Sequence, residues 1–483
     1  MNFLSNDLRI KNNEKIKNMK KIHMIGIGGT SMSAIALVLV EAGFEITGSD
    51  KNENSMTELL KEKGINVFIG SNAEMVLGCD AVIYTSAITQ HDSEFVRAKS
   101  LGIPTFERAV FLGILLEAYD NTICISGTHG KTTTTSMTAS IFMDANYNPN
   151  VQVGGKFKKL NDLNYLIGDS DYFILESCEY VDSFLNFPHN TATILNIDED
   201  HLDYFSGIED IKNSFKKFIL MTKQNGNLVI NQDDSNCVSV LNDINDKLKE
   251  KNIRVIKFSL SEETAEIYAK NIRCNIKGFY SFDITSPLDN KTYEFYLTVP
   301  GLHNVYDAIA AITTAYAHNI DFKIMQKSLN DFCGAKRRFE LKKEFKNNIL
   351  VYDDYAHHPT EIKATLAAAK QKNGSRVISI FQPHTYTRTK ELLEDFTTAF
   401  FDSDVCIITD IYAAREIDDG SISSEMLVDR LIKKGVNAIY IKEFGDIANY
   451  LKEIAQPNDL ILTIGAGDIT NLSNYITGLT MEK

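Results

Sequence analysis

The chain has 483 residues, 44% of them hydrophobic and 24% charged, with a net charge of −14. That length exceeds one ordinary core and predicts about three domains of soluble globular character. The acidic balance argues against gripping nucleic acid or anionic membrane over a broad surface, but allows a local phosphate pocket built from backbone N–H groups and one or two cations.

Apolar runs such as Ala34 to Val40 fall far short of the ~20 residues a membrane helix needs. Residues 1–18 are polar and basic, without the apolar core of a signal peptide, and read as a solvated tail. Seven cysteines at irregular spacing, with no CxxC pair, point to free thiols in a reducing cytoplasm.

The expected fold class is α/β with three domains: residues 19–119 Rossmann-like, 120–333 resembling a P-loop ATPase, and 334–483 again Rossmann-like. The first opens with strand Lys21 to Ile27, a helix from Ser31 to Ala42 and strand Phe44 to Asp50, with a further strand at Asp80 to Ser86. Its turn, Gly26-Ile-Gly-Gly-Thr-Ser, is a G-x-G-x-x-G with Ser31 in the third glycine position. Asp50 ends the second strand, where an acid can meet a ribose hydroxyl. The turn alone suggests a pyrophosphate-bearing ligand, leaving an NAD-dependent oxidoreductase open.

The second domain begins with the apolar run Asn121 to Ile125 and Ser126-Gly-Thr-His-Gly-Lys-Thr-Thr133. This is a shortened Walker A loop, G-x-x-G-K-T-T in place of G-x-x-x-x-G-K-[ST]. Its parts still suit a phosphate: a strand feeding a glycine turn, a helix N-terminus, Lys131 for the β/γ oxygens and the Thr132 hydroxyl for Mg²⁺. A nucleotide-binding regulatory module shares these features. Two acidic strand ends, Glu176-Ser-Cys-Glu and Asn196-Ile-Asp-Glu-Asp-His201, should face the loop. Between about 227 and 300 the texture is strand-rich and polar, and a helix from Asn304 to His318 closes the domain.

Lys336-Arg-Arg-Phe339 lies at the junction to the third domain, where an arginine can close over a γ-phosphate. Two polar strand ends follow, Tyr352-Asp-Asp-Tyr-Ala-His-His-Pro-Thr-Glu361 and Phe381-Gln-Pro-His-Thr-Tyr-Thr-Arg388. Zinc is a rival reading of these histidines, but no Cys or H-x₃-H spacing supports it.

The ordered set GIGG…GSD, GTHGKTT, ESCEYVDSF, NIDEDHLD, GLHN, KRRFE, DDYAHHPTE and FQPHTYTRT resembles the Mur ligases, from about residue 20 to the C-terminus. The last two motifs resemble the branch that adds L-alanine to UDP-N-acetylmuramate, while GTHGKTT also fits the branch that recycles a whole peptide. The resemblance implies ATP-dependent carboxylate–amine ligation through an acyl phosphate, an early cytoplasmic step of peptidoglycan precursor synthesis, with no nucleic-acid or membrane partner. It leaves oligomeric state open.

By the same resemblance Gly28, Gly29, Ser31, Asp50 and Ser86 would hold the UDP-sugar. Gly127, Thr128, His129, Gly130, Lys131, Thr132, Thr133, Asn304 and Asp354 would hold ATP, with Arg337, or its neighbour Arg338, reaching it from the third domain. Thr132, Glu176 and His201 would hold Mg²⁺, and His357, His384 and Arg388 would line the amino-acid pocket. Lys131, Arg337 and His357 are the expected catalytic set. Ser31, Cys178, Tyr180, Asp307 and Thr385 depart from the usual family pattern.

Overall fold

The computed structural model describes residues 10, 13–85, 87–372, 376–414 and 416–479. Three sheets follow one another along the chain. The first is parallel, with strands β1 (Lys21–Ile25), β2 (Glu45–Asp50), β3 (Asn66–Ile69), β4 (Ala81–Tyr84) and β5 (Thr105–Glu107) in the order β3-β2-β1-β4-β5. Strand order reverses beside β1, which places the Gly26–Ser31 turn at the crevice where doubly wound sheets bind ligands.

The second sheet has ten strands in the order β15-β14-β13-β12-β11-β10-β6-β9-β7-β8. Its parallel centre comprises β6 (Asn121–Ser126), β9 (Tyr172–Glu176), β10 (Thr191–Ile194), β11 (Asn227–Asn231) and β12 (Arg254–Ser259). Strands β7 (Asn150–Phe157) and β8 (Leu163–Leu166) extend one edge; β13 (Ile267–Cys274), β14 (Phe279–Thr285) and β15 (Thr292–Pro300) extend the other. The buried run Thr122–Ser126 makes β6 a central strand with both faces covered. Helix Lys131–Asp144 leaves its carboxyl end and packs against helix Leu302–Ala317.

The third sheet runs β16 (Glu340–Phe345), β17 (Ile349–Asp354), β21 (Leu460–Ile464), β18 (Val377–Phe381), β19 (Val405–Ile408) and β20 (Ala438–Tyr440), parallel except for β16. Helix Pro359–Gln371 follows β17, with Pro359 at its first turn and a capping box between His358 and Glu361.

One expectation is refined and one fails. Residues 227–300 are strand-rich, but Ser235–Glu250 within them is a 16-residue helix. Its buried residues, Cys237, Val240, Leu241, Ile244 and Leu248, recur at helical spacing, but abundant Asn, Asp and Lys mask the stripe. The described part of residues 1–18 is not solvated throughout: Ile10 and Ile16 are buried in the first core, the Asn13 side chain donates to the Ile114 carbonyl, and Lys15 pairs with Glu117. Two isoleucines in a basic stretch suffice to dock it.

All seven cysteines are free. No helix among the described residues is long and apolar enough to cross a membrane.

Candidate active site

The loop after β6 turns twice through backbone that side chains avoid. Gly130 has φ +83°, and a Cβ there would lie 2.2 Å from Asp307 Oδ1, so the position admits only glycine. No side chain caps the helix that follows, so its first amide groups are left to a ligand. Asn196 fixes the loop from the neighbouring strand end: its Oδ1 accepts from His129 N at 2.8 Å and its Nδ2 donates to His129 O at 3.1 Å.

Lys131 is buried and folded back. Its Nζ donates to the carbonyls of Gly127 and Thr128 and to Glu179, at 3.0 Å to Oε2. Burial opposes the ammonium charge, but Glu179 and further acids outweigh it and raise the lysine. Beside it the Thr132 hydroxyl donates to Glu176 Oε1 at 2.9 Å, and Gly154 N donates to the other carboxylate oxygen. Thr132 and Glu176 therefore meet as expected. His201 is not part of this pair: it faces Tyr180, with ring centroids 4.5 Å apart, and lies 3.9 Å from Asp200.

A cavity of about 500 Å³ opens between the central and third domains. His129, Gly130 and Thr133 line its floor, Asn304 and Asp307 one wall, and Arg338, Asp354 and Glu361 the opposite one. Asn304 is held by Pro300 O at 2.6 Å. Asp354 accepts from Phe339 N and Ala356 N, yet burial outweighs these bonds and raises it to about 6. Burial also raises Asp307, which accepts from Thr134 Oγ1, to about 7.

The junction arginines separate here. Arg337 has φ +58° and turns into its own domain, where it binds the carbonyls of Gly465 and Gly467 and pairs with buried Asp353 at 3.4 Å. Arg338 is the one that lines the cavity, 3.5 Å from Thr132 Oγ1. Of the two arginines left open by the sequence, with Arg337 placed first, it is Arg338 and not Arg337 that faces this cavity. A left-handed residue reverses the side-chain direction between neighbours, and nothing in two adjacent arginines announces it.

The segment after β10 divides two spaces. Residues 195–198 line the large cavity, while Asp200 to Asp203 line a second pocket of about 370 Å³ with Tyr180, His384 and Arg388. Arg388 is oriented by Asp200, at 3.1 and 3.0 Å, and meets His384 at 3.3 Å. Asp200 is held far below the carboxylate range because Arg388 and nearby histidines outweigh its burial. His357 is 5.9 Å from His384, ring to ring, and burial lowers it to about 4, so it is a neutral base. It does not line either cavity, whereas His384 and Arg388 do.

In the first domain Gly28 N donates to Asp50 Oδ2 at 2.9 Å, closing the turn. Gly29 precedes helix Thr30–Glu41 without a side-chain cap. The Ser31 hydroxyl is engaged by Arg108, at 3.2 Å, and by Gln152 of the central domain, so it serves the domain contact as well as the turn. Ser86 lies outside the described residues.

Glu179, Asp198, Asp200 and Glu361 were not assigned a role from sequence. Each stands inside a quoted motif, but their pairings span 48 to 232 residues of chain.

A phosphate loop on one sheet, a junction arginine on the next and a cleft between them define the Mur ligase class. Family models match the chain in order: "Mur ligase family, catalytic domain" over 21–120, "Mur ligase middle domain" over 125–315, and "Mur ligase, glutamate ligase domain" over 337–467. The chain belongs to the Mur ligase family.

Within it, the chain is 47% identical over 465 residues to the UDP-N-acetylmuramate–L-alanine ligase of Caldicellulosiruptor bescii, covering 96% of this chain and 100% of the relative. It is 45% identical to the enzyme of that name from Acetivibrio thermocellus, over 93% and 94% of the two chains. The solved UDP-N-acetylmuramate–alanine ligase of Thermotoga maritima superposes with a TM-score of 0.77 at 27% identity, covering 95% of this chain and 98% of that one. A murein peptide ligase of Psychrobacter arcticus shares the fold, with a TM-score of 0.68 at 24% identity over 95% and 98% of the chains.

Proposed function

We propose that this protein joins L-alanine to the carboxyl group of UDP-N-acetylmuramate with conversion of ATP to ADP and phosphate, in the cytoplasm, as a step of peptidoglycan precursor synthesis. The observation that carries this reading is the division made by residues 195–203: a nucleotide-sized cavity on one side and a small pocket with an oriented guanidinium on the other. A nucleotide switch has no use for the second space. An oxidoreductase has none for the lysine loop.

The muramoyl carboxylate attacks the γ-phosphorus and ADP leaves, giving an acyl phosphate. The amine of L-alanine then attacks the acyl carbon, and phosphate departs from the tetrahedral adduct. Lys131 exchanges Glu179 for phosphate oxygens, and Arg338 approaches the same charge from the third domain. Asn304 and Asp354 bound the nucleotide cavity, Asn304 toward the base. The donor chemistry suits a hard divalent cation, since Thr132 and Glu176 present adjacent oxygens. Mg²⁺ held there would offset phosphate charge. His201, the third ligand of the expected set, is held against the Tyr180 ring.

In the second pocket Arg388 is the partner for the alanine carboxylate and His384 flanks the amine side, with the neutral His357 5.9 Å from His384, ring to ring. Gly28, Gly29 and Asp50 cradle the UDP end in the first domain, where the uncapped helix start favours pyrophosphate.

The test is ADP release with UDP-N-acetylmuramate, ATP and Mg²⁺, comparing L-alanine with a tripeptide as acceptor. Release with L-alanine alone supports the proposal. Release with the tripeptide alone moves the protein to the peptide-recycling branch, and release with neither refutes the substrate assignment.

A further inference from the structure

Glu361 lines the nucleotide-sized cavity, and its two carboxylate oxygens meet different partners. Oε1 faces His129 Nδ1 of the phosphate loop at 3.4 Å. Oε2 accepts from the backbone amides of His357, at 3.0 Å, and His358, at 3.4 Å. One side chain of the third domain thus touches both the loop assigned to ATP and the backbone of the histidine assigned to the acceptor.

The second contact is the capping box of helix Pro359–Gln371, and a glutamine would serve it equally well. The charge faces His357 Nδ1 within its own domain, 3.4 Å from Oε2, and His129 across the boundary. There the chemistry is specific: His129 lies between two carboxylates, with Nε2 3.2 Å from Asp198 Oδ2, so both ring nitrogens find acceptors when the ring is an imidazolium. Thr360 Oγ1 donates to the same Asp198 oxygen at 2.9 Å, and His358 Nε2 meets Glu199 O at 2.9 Å. With both ring nitrogens of His358 engaged, by Glu199 O and Thr360 N, the group His129, Asp198 and His358 reads as an interdomain clamp and not as a metal site.

We propose that Glu361 is a positioning residue that couples the phosphate loop to the acceptor pocket: through His129 it docks the third domain against the nucleotide loop, and through its cap it sets His357 in the same movement. The inference rests on the assignment of the two spaces made above. Acceptor binding and the ligation step should therefore depend on Glu361 more strongly than nucleotide binding to the central domain does.

The experiment is a double-substitution cycle on the full-length enzyme with Glu361→Gln and His129→Gln, read as kcat and KM for L-alanine, Kd for ATP and melting temperature. Glu361→Gln keeps the cap, and His129→Gln leaves the helix untouched, so either variant tests the coupling if the other fails to fold. The expected result is a loss of about 10-fold or more in kcat/KM for L-alanine in each single variant, larger than any loss of ATP affinity in the same variant, and a double variant no worse than the poorer single one. Additive losses, a wild-type Glu361→Gln enzyme, or a loss matched by the unfolded fraction would overturn the proposal. Lys131→Ala and Arg388→Ala run alongside separate the two readings: full activity in these would refute the site assignment itself, whatever the cycle shows.

Discussion

The molecule carries two glycine turns that each end a central strand and open an uncapped helix, and they are built for different work. The turn at Gly26–Ser31 is closed by Gly28 N donating to the Asp50 side chain and braced through Ser31. The loop at Gly127–Thr133 is ringed with charge: Lys131 on Glu179, Thr132 on Glu176, His129 between Asp198 and Glu361, and Arg338 above. The first geometry can hold an anion and release it unchanged. The second holds partners that must be exchanged, because a phosphate displaces Glu179 from Lys131. Substitutions in the first turn should act on binding, and those in the second on the rate of chemistry.

The largest effect should come from Lys131→Ala. Removing the ammonium leaves the transferring phosphoryl group without its buried cation and strands Glu179, which is almost fully buried. A fall in kcat of about 10³-fold or more is expected in the ADP-release assay.

Next, the adjacent arginines should behave oppositely. Arg338→Ala should lower kcat about 10²-fold with little change in melting temperature, since Arg338 faces the cavity. Arg337→Ala removes the partner of buried Asp353 and two carbonyl contacts, so it should cost about 3 kcal/mol of stability, with a smaller loss of kcat per folded molecule. Equal kinetic losses in both would erase the distinction between them.

That pair also marks how far the sequence could be read. The phosphate loop was legible because strand, glycine spacing, lysine and helix start lie within one short run, and local backbone chemistry decides its shape. The polar strand ends were legible because parallel sheets bring their carboxyl ends to one side. Which arginine faces the cavity was not, since it turns on the backbone of Arg337. Glu361 was quoted within its motif, but its bond to His129 crosses 232 residues and exists only once the third domain is docked. The orientation of His201 was not legible for a related reason. It sits at φ +55°, and the chain turns it toward Tyr180.

A smaller effect should follow from Gly28→Ala in the first turn. A Cβ there would come within 2.7 Å of Thr57 Cγ2 and 2.9 Å of Asp50 Oδ2, pushing on the group that closes the turn. The expected outcome is a rise of about 10-fold in KM for UDP-N-acetylmuramate with kcat nearly unchanged. A fall in kcat to match would mean the first turn takes part in chemistry after all.

The smallest effect is the pH response of the clamp, and it belongs to the phosphate loop alone. Burial disfavours charge on His129, but hydrogen bonds to Asp198 and Glu361 and their negative field outweigh it and raise the ring from 6.5 to about 9. A group whose pKa is raised on folding stabilises fully below its unfolded pKa, and that contribution is lost as pH rises through the folded value. Stability should therefore decline between pH 7 and 10. Asp354, raised to about 6, has largely titrated below that window, Asp307, raised to about 7, titrates at its lower edge in both wild type and variant, and His358, held neutral by burial, does not compete within it. Asp198 is 41% exposed, so water screens part of the interaction, and about 1 kcal/mol is the expected size. Urea titrations at pH 7 and pH 10 should show this loss in the wild type and not in His129→Gln. An equal decline in both would place the charge on other groups and leave His129 a neutral spacer between the two domains.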